Sequence, residues 1–139
     1  MKGRIPAEVE AMLHSAGWFE GRSEFPLELP SDYTLFPSAR IALEEFGGLD
    51  VGACGPGTNF ARCDIQFDPN AAEGLASIVS VTDEGLRLYP LGEATHGHAY
   101  LLIDEKGAVY LYFNHLKKFG SSLDEALVSL LLGVNPKGD

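Results

Sequence analysis

The chain has 139 residues, of which 45% are hydrophobic, and it carries a formal net charge of −10. This length and composition predict one folded domain over residues 1–139 and argue against global disorder. No apolar run approaches the roughly 20 residues that span a bilayer, so we expect no transmembrane helix and no membrane partner. Two cysteines without an export signal favour reduced thiols in the cytoplasm.

The acidic residues are unevenly distributed along the chain. Residues 5–86 contain 14 acidic and three basic residues, a formal charge of −11, whereas the remaining positions hold six acidic and seven basic residues. Such a charge disfavours binding to nucleic acid and favours encounter with a basic partner. The alternative is that the acids only keep the protein soluble.

Two helices are predicted in the first third of the chain. The first begins at Pro6, carries apolar residues with helical spacing and ends at Gly17. The second runs over 37–46 and is stopped by Gly47 and Gly48. The segment 23–36 between them contains two prolines and is predicted to be an extended connector.

Strand patterns follow. Strands are predicted over 49–53, 61–67 and 88–91, and the alternation over 99–103 and 109–113 predicts a hairpin. A further helix is expected after Pro69, through Val79. Ser121 or Ser122 is predicted to cap a final helix that Gly133 ends. Helices at both ends of antiparallel strands indicate an α+β fold, with a central mainly antiparallel sheet flanked by N-terminal and C-terminal helices.

Alternation assigns the strand residues to two faces. The inward face is expected to hold Ala61, Cys63, Ile65, Phe67, Ala99, Leu101, Ile103, Val109, Leu111 and Phe113. The outward face would then carry Arg62, Asp64, Gln66, His98, Tyr100, Tyr110, Tyr112 and Asn114. Tyrosine and arginine with small polar groups are typical of protein-binding surfaces. The alternatives are that a helix covers this face or that the rings shield a solvated sheet.

The spacing of the histidines and cysteines gives little indication of a catalytic site or a metal site. His96 and His98 with the two cysteines lack the spacing of a structural zinc site, so no metal site is predicted. The glycine-rich stretch around Cys54 lacks the residues of a phosphate-binding loop. A hydrolase built around Cys54 or His115 remains a minor alternative. We therefore expect no enzyme, no catalytic residue and no cofactor.

An ordered set of motif residues extends along the chain. It comprises Trp18, Gly21, Arg22, Pro37, Arg40, Gly47, Gly48, Pro90 and Gly92, followed by the 103–110 hairpin and the segment 119–133. Taken in order, these motifs resemble the bacterial SUKH superfamily, and within it the third subgroup of SUKH immunity proteins. From the residues alone, Trp18 is interpreted as a core anchor, and Arg22 and Arg40 as structural arginines.

The resemblance implies a sheet flanked by helices and a cytoplasmic protein that neutralises a cognate toxin of contact-dependent or polymorphic systems. Such toxins are often nucleases or nucleic-acid deaminases, and an acidic chain would suit a basic toxin. The resemblance implies no catalytic residues. The second hypothesis is an intracellular regulatory or scaffolding module without a toxin partner, as in the wider superfamily.

Overall fold

The computed structural model describes residues 6–19, 21–23, 35–52, 54–57, 59, 61–68, 70, 87–95, 97, 99–113 and 115–134. Helix α1 spans Ala7–Ser15 and buries Val9 and Leu13. Gly17 follows it with a φ of 109°, a conformation that suits glycine and ends the helix. None of the described helices is long and apolar enough to cross a membrane.

The other two helices begin and end close to where the sequence predicts. Helix α2 spans Pro37–Phe46, with proline in its first turn and Gly47 as its C-cap. Helix α3 spans Leu123–Leu132. Its N-cap is Ser122, whose hydroxyl accepts a hydrogen bond from the Glu125 N–H at 3.3 Å. In return, the Glu125 carboxylate accepts a hydrogen bond from the Ser121 N–H at 2.9 Å.

Six antiparallel strands form one sheet in chain order. They are β1 (Asp50–Val51), β2 (Ile65–Gln66), β3 (Leu88–Ala94), β4 (Ala99–Asp104), β5 (Val109–Phe113) and β6 (His115–Gly120). Each strand pairs with the next, so the sheet is a meander with β1 and β6 at its edges. The α+β fold and the antiparallel sheet are confirmed.

Several details of the strand prediction are wrong. The strand expected over 61–67 is reduced to two residues, while the strand at 88–91 extends to Ala94. Strand β6 was not predicted at all. Ala61 and Phe113, expected to point inward, are exposed, and Phe113 retains 58% of its accessible surface at the end of β5. The helix expected after Pro69 lies outside the described residues, as does most of the 23–36 connector.

The main core lies between one face of the sheet and the three helices that the structure describes. Val9 and Leu13 of α1, Leu43 and Phe46 of α2 and the apolar stripe of α3 join Ile65, Leu91, Leu101 and Val109 in one buried cluster. This is the first face of the sheet. The opposite, second face carries a smaller cluster around Leu88 and Leu102. Among the described residues, the helices pack on the first face, so the second face is the one to consider as a binding surface.

Candidate partner-binding surfaces

The strand register aligns a row of side chains across the second face. Gln66 pairs with Glu93, Glu93 with Tyr100, Tyr100 with Tyr112, and Tyr112 with Leu116. Directly paired residues of an antiparallel sheet point to the same face. We call these five residues the cross-sheet row. The prediction that Gln66, Tyr100 and Tyr112 share a face is therefore confirmed.

Glu93 and Leu116 belong to this row but were missed by the sequence interpretation. Leu116 lies on β6, a strand without an obvious sequence signal. Glu93 lies beyond the predicted end of β3. A longer alternation count around Pro90 would have reached Glu93, although the register shift between Pro90 and Gly92 obscures that pattern.

Tyr110 lies beside the row and is held in place by a hydrogen bond. Its hydroxyl donates to Asp104 Oδ2 at 2.8 Å, and Asp104 is only 1% exposed. The other carboxylate oxygen of Asp104 accepts the N–H groups of Lys106 at 2.8 Å and Ala108 at 3.0 Å, which fixes the β4–β5 turn. Tyr110 therefore has a structural role in the hairpin.

The tyrosine rings also cover the smaller cluster. Tyr110, Tyr112 and Leu116 pack against the buried Leu88 and Leu102. Tyr100, Tyr110 and Tyr112 are nevertheless half-buried and not fully enclosed. Tyr110 and Tyr112 therefore do shield this cluster. His98 and Asn114, expected on this face, lie outside the described residues.

Arg62 does not join the tyrosines. It pairs with the carboxylate of Glu8 on α1 at 3.1 Å, and helix α1 packs on the first face of the sheet. A cleft of about 380 Å³ beside it is lined by Met12, Ser15, Ala16, Asp50 and Gly52. The outward-facing position expected for Arg62 is therefore wrong, because Arg62 lies before the regular strand β2 and its side chain is held by the ion pair with α1.

Asp64 is also displaced from the expected surface. It is 6% exposed, and its Oδ1 atom accepts a hydrogen bond from the Cys54 thiol at 3.2 Å. This hydrogen bond to Asp64 is the main reason why the pKa of the Cys54 thiol is raised. Because Asp64 is buried, it does not belong to the surface that a partner could contact.

The motif residues assemble into a structural corner. Trp18 is 2% exposed, and its indole N–H donates to Glu45 Oε2 at 3.1 Å. The Arg22 guanidinium donates to the carbonyl oxygens of Glu45 and Gly47, both at 2.8 Å. These carbonyls lie at the C-terminal end of α2, where helices leave backbone acceptors unpaired and favour a cation. These contacts agree with the structural interpretation of Trp18 and Arg22.

The remaining motif residues also act on the fold. Gly21 and Gly48 have φ values of 83° and 85°, which allow the chain to turn on either side of the corner. Pro37 begins α2, and Arg40 forms an exposed pair with Glu44 one turn further on. Pro90 and Gly92 flank the register shift in β3.

The geometry argues against an active site that combines Cys54 and His115. Cys54 follows β1 and His115 begins β6, and these strands are the two edges of the sheet. Five strand spacings separate the edges, a distance of about 20 Å or more. A raised thiol pKa also disfavours the thiolate that a nucleophile needs. Among the described residues, no three His, Cys, Asp or Glu side chains are grouped to hold a metal ion.

The family model described as SUKH-3 immunity protein matches residues 5–133, nearly the whole chain. No curated protein and no solved structure matches the chain significantly.

Proposed function

Because this chain belongs to the SUKH-3 immunity protein family over residues 5–133, we propose that it neutralises a cognate protein toxin by stoichiometric binding. The family membership implies a toxin partner, and it is the observation that carries the proposal. Inhibition by binding needs no turnover, no metal and no cofactor, and it takes place in the cytoplasm where the toxin acts.

The partner that we propose is a basic toxin domain, such as a nuclease or a nucleic-acid deaminase. An enzyme that acts on nucleic acid must bind a polyanion and therefore tends to carry a positive surface. The formal charge of −11 over residues 5–86 suits such a partner. Complementary charges of this kind raise the association rate and disfavour wrong partners.

The contact surface that we propose is the cross-sheet row, centred on Tyr100 and Tyr112. Paired tyrosines give a broad contact area at a low entropic cost, and half-buried rings can lose their remaining water contact on binding. Gln66 and Glu93 lie at one end of the row and can supply polar contacts to a basic partner. Arg62 and Asp64 are left out of the proposed contact, since one pairs with α1 and the other is buried.

Co-expression tests the proposal directly. The product of the neighbouring toxin gene would be expressed in a sensitive host with and without this chain, and the mixture would be purified through a tag on the toxin. We expect protection of the host and a stable complex of fixed stoichiometry. Loss of both would overturn the immunity function, and stable recovery in a complex without any toxin would favour the regulatory alternative.

A further inference from the structure

A cleft lies at the β1 edge of the sheet, where helix α1 contacts β1. It is the cleft of about 380 Å³ beside Arg62. Its lining residues Ser15, Asp50 and Gly52 are exposed, so the cleft is accessible from the surface. Small-molecule sites enclose most of their ligand, whereas an open cleft of this kind suits a side chain that a protein partner inserts.

Asp50 connects this cleft to the contact surface that we propose. It pairs with Gln66 in the strand register, and Gln66 is the first residue of the cross-sheet row. Directly paired residues of an antiparallel sheet point to the same face, so Asp50 continues the row by one strand. Asp50 also lines the cleft. A partner that covers the Gln66 end of the row therefore lies next to the cleft.

The charges around the cleft favour a cation. Asp50 is exposed, and among the described residues its carboxylate accepts no hydrogen bond and forms no ion pair. The cation of Arg62 is already paired with Glu8 at 3.1 Å, which offsets its charge. Ser15 and Ala16 lie at the C-terminal end of α1, where the helix dipole contributes a partial negative charge. A basic side chain is therefore attracted to this cleft more than it is repelled.

The walls of the cleft suit the stem of a long side chain. Met12 and Ala16 line it and are half-buried against the main core. Ser15 adds a hydroxyl group, which can donate or accept a hydrogen bond. Long basic side chains lay their methylene groups on apolar surface and keep the charged group near water or a carboxylate. Arginine suits such a place better than lysine, because its planar group bonds a carboxylate through two parallel hydrogen bonds and is more weakly hydrated.

We propose that the cleft between α1 and β1 is a second contact site for the toxin, and that it accepts one arginine side chain of a basic toxin domain. The guanidinium group of the toxin bonds the Asp50 carboxylate, and its methylene groups pack on Met12 and Ala16. This inference rests on the proposed function, because it names the chemical group that one part of the contact surface binds. The arginine fixes the position of the toxin at the end of the row, and the tyrosines supply contact area further across the sheet.

Two single substitutions test the cleft, with the purified full chain and the product of the neighbouring toxin gene. Asp50→Asn removes the charge, and Ser15→Phe fills the cleft from an exposed position. Each should weaken the complex about tenfold, mainly through faster dissociation measured by surface plasmon resonance. The controls are Glu105→Gln, an equal loss of charge on the β4–β5 turn, and Ala7→Phe, an equal gain in size about two turns earlier on α1. Both controls should change the dissociation rate less than about twofold.

Alanine substitutions in the toxin identify the bound group. Replacing one toxin arginine should weaken the complex with the natural chain about tenfold, and should weaken the complex with the Asp50→Asn chain much less. Coupling of Asp50 to no toxin arginine, or an effect of Asp50→Asn on the association rate alone, would contradict the inference. Unchanged dissociation of both cleft variants would overturn it while the stable complex of the natural chain left the proposed function intact. If the natural chain did not bind the toxin, the proposed function itself would fail, and this inference with it.

Discussion

Arg22 joins two parts of the sequence that lie 23 positions apart, and its contacts explain why an arginine is needed there. One planar guanidinium reaches two carbonyl oxygens at the end of α2, a geometry that a single ammonium group does not reproduce. Trp18 meets the side chain of Glu45 at the same place. The contacts of Trp18 and Arg22 thus fix the C-terminal end of α2.

Arg22→Ala should lower the free energy of unfolding by about 2 kcal/mol, because two charge-assisted hydrogen bonds to the end of α2 are lost. Urea denaturation followed by the fluorescence of the single tryptophan would measure it. Arg40→Ala is the matched control, since its pair with Glu44 is exposed and should contribute less than about 0.5 kcal/mol. Equal effects of both substitutions would contradict the structural role of Arg22.

Mutagenesis can distinguish Tyr100 and Tyr112, which belong to the proposed interface, from Tyr110, which has a structural role. Tyr100→Ala and Tyr112→Ala should each weaken the toxin complex by about 1 kcal/mol or more, with the larger loss of stability at Tyr112, which covers Leu102. Titration calorimetry of the folded variants would measure the affinity.

Tyr110→Phe serves as the control for these two variants. It keeps the ring but loses the hydrogen bond to Asp104, so it should cost about 1 kcal/mol of folding stability and leave binding unchanged. If Tyr100→Ala and Tyr112→Ala bound with natural affinity, the cross-sheet row would not be the interface.

At the scale of the elements, strand β3 has no room for a side chain at Gly92. A Cβ atom added to Gly92 would lie 1.8 Å from the Gln66 carbonyl oxygen and 2.8 Å from the Asp68 nitrogen. Both neighbours are backbone atoms of β2 and its continuation, so no side-chain rotation can relieve the contact. The motif glycine therefore sets how closely β2 approaches β3.

Gly92→Ala should destabilise the fold by about 3 kcal/mol or more, since the strands must separate to accommodate the methyl group. Thermal and urea unfolding would both report it. Gly55→Ala is the control, because nothing lies within 4 Å of the added atom and the backbone there does not have the positive φ that favours glycine. A loss of less than about 1 kcal/mol at Gly92 would contradict the close approach of the two strands.

The elements also show where sequence patterns were sufficient and where they failed. Pro37 and Gly47 mark both ends of α2 by local stereochemistry, so its bounds follow from sequence alone. Strand β6 pairs back on β5 with Phe113 opposite His115, across a connection that holds no glycine or proline. Its two consecutive lysines, Lys117 and Lys118, are exposed and resemble a loop pattern. Pairing with β5, and not local propensity, makes this segment a strand.

The candidate surface was only partly predictable for a similar reason. Tyr100, Tyr110 and Tyr112 lie in regular strands, where alternation decides the face. Arg62 and Asp64 lie before β2, where tertiary contacts replace the ladder. Arg62 turns to Glu8 on α1, and Asp64 is drawn inward beside Cys54. Glu8 and Cys54 lie elsewhere in the sequence, so the alternation pattern of this segment could not predict these contacts.

On the scale of the whole molecule, chain order becomes spatial order within the sheet. The sheet is a meander, and the acidic segment 5–86 supplies α1, α2, β1 and β2, while the nearly neutral remainder supplies β3 to β6 and α3. Among the described acids of this segment, Glu8 and Glu10 lie on α1 and Asp50 lies on β1, so we expect a basic partner to be attracted to the β1 side of the sheet. The tyrosines lie further across, towards β5. The acidic residues are thus suited to attract a basic toxin, and the tyrosines are suited to stabilise the complex once it has formed.

If the acids guide the encounter, the association rate constant with the toxin should fall about tenfold as ionic strength rises from about 0.05 M to about 0.5 M, because screening shortens the reach of the field. The dissociation rate should change much less, since it depends on packed contacts. Stopped-flow mixing at several salt concentrations would separate the two. Asp50→Asn should lower the association rate more than Glu105→Gln, which removes an exposed acid from the β4–β5 turn. An association rate that does not respond to salt would instead leave the acids with a role in solubility alone.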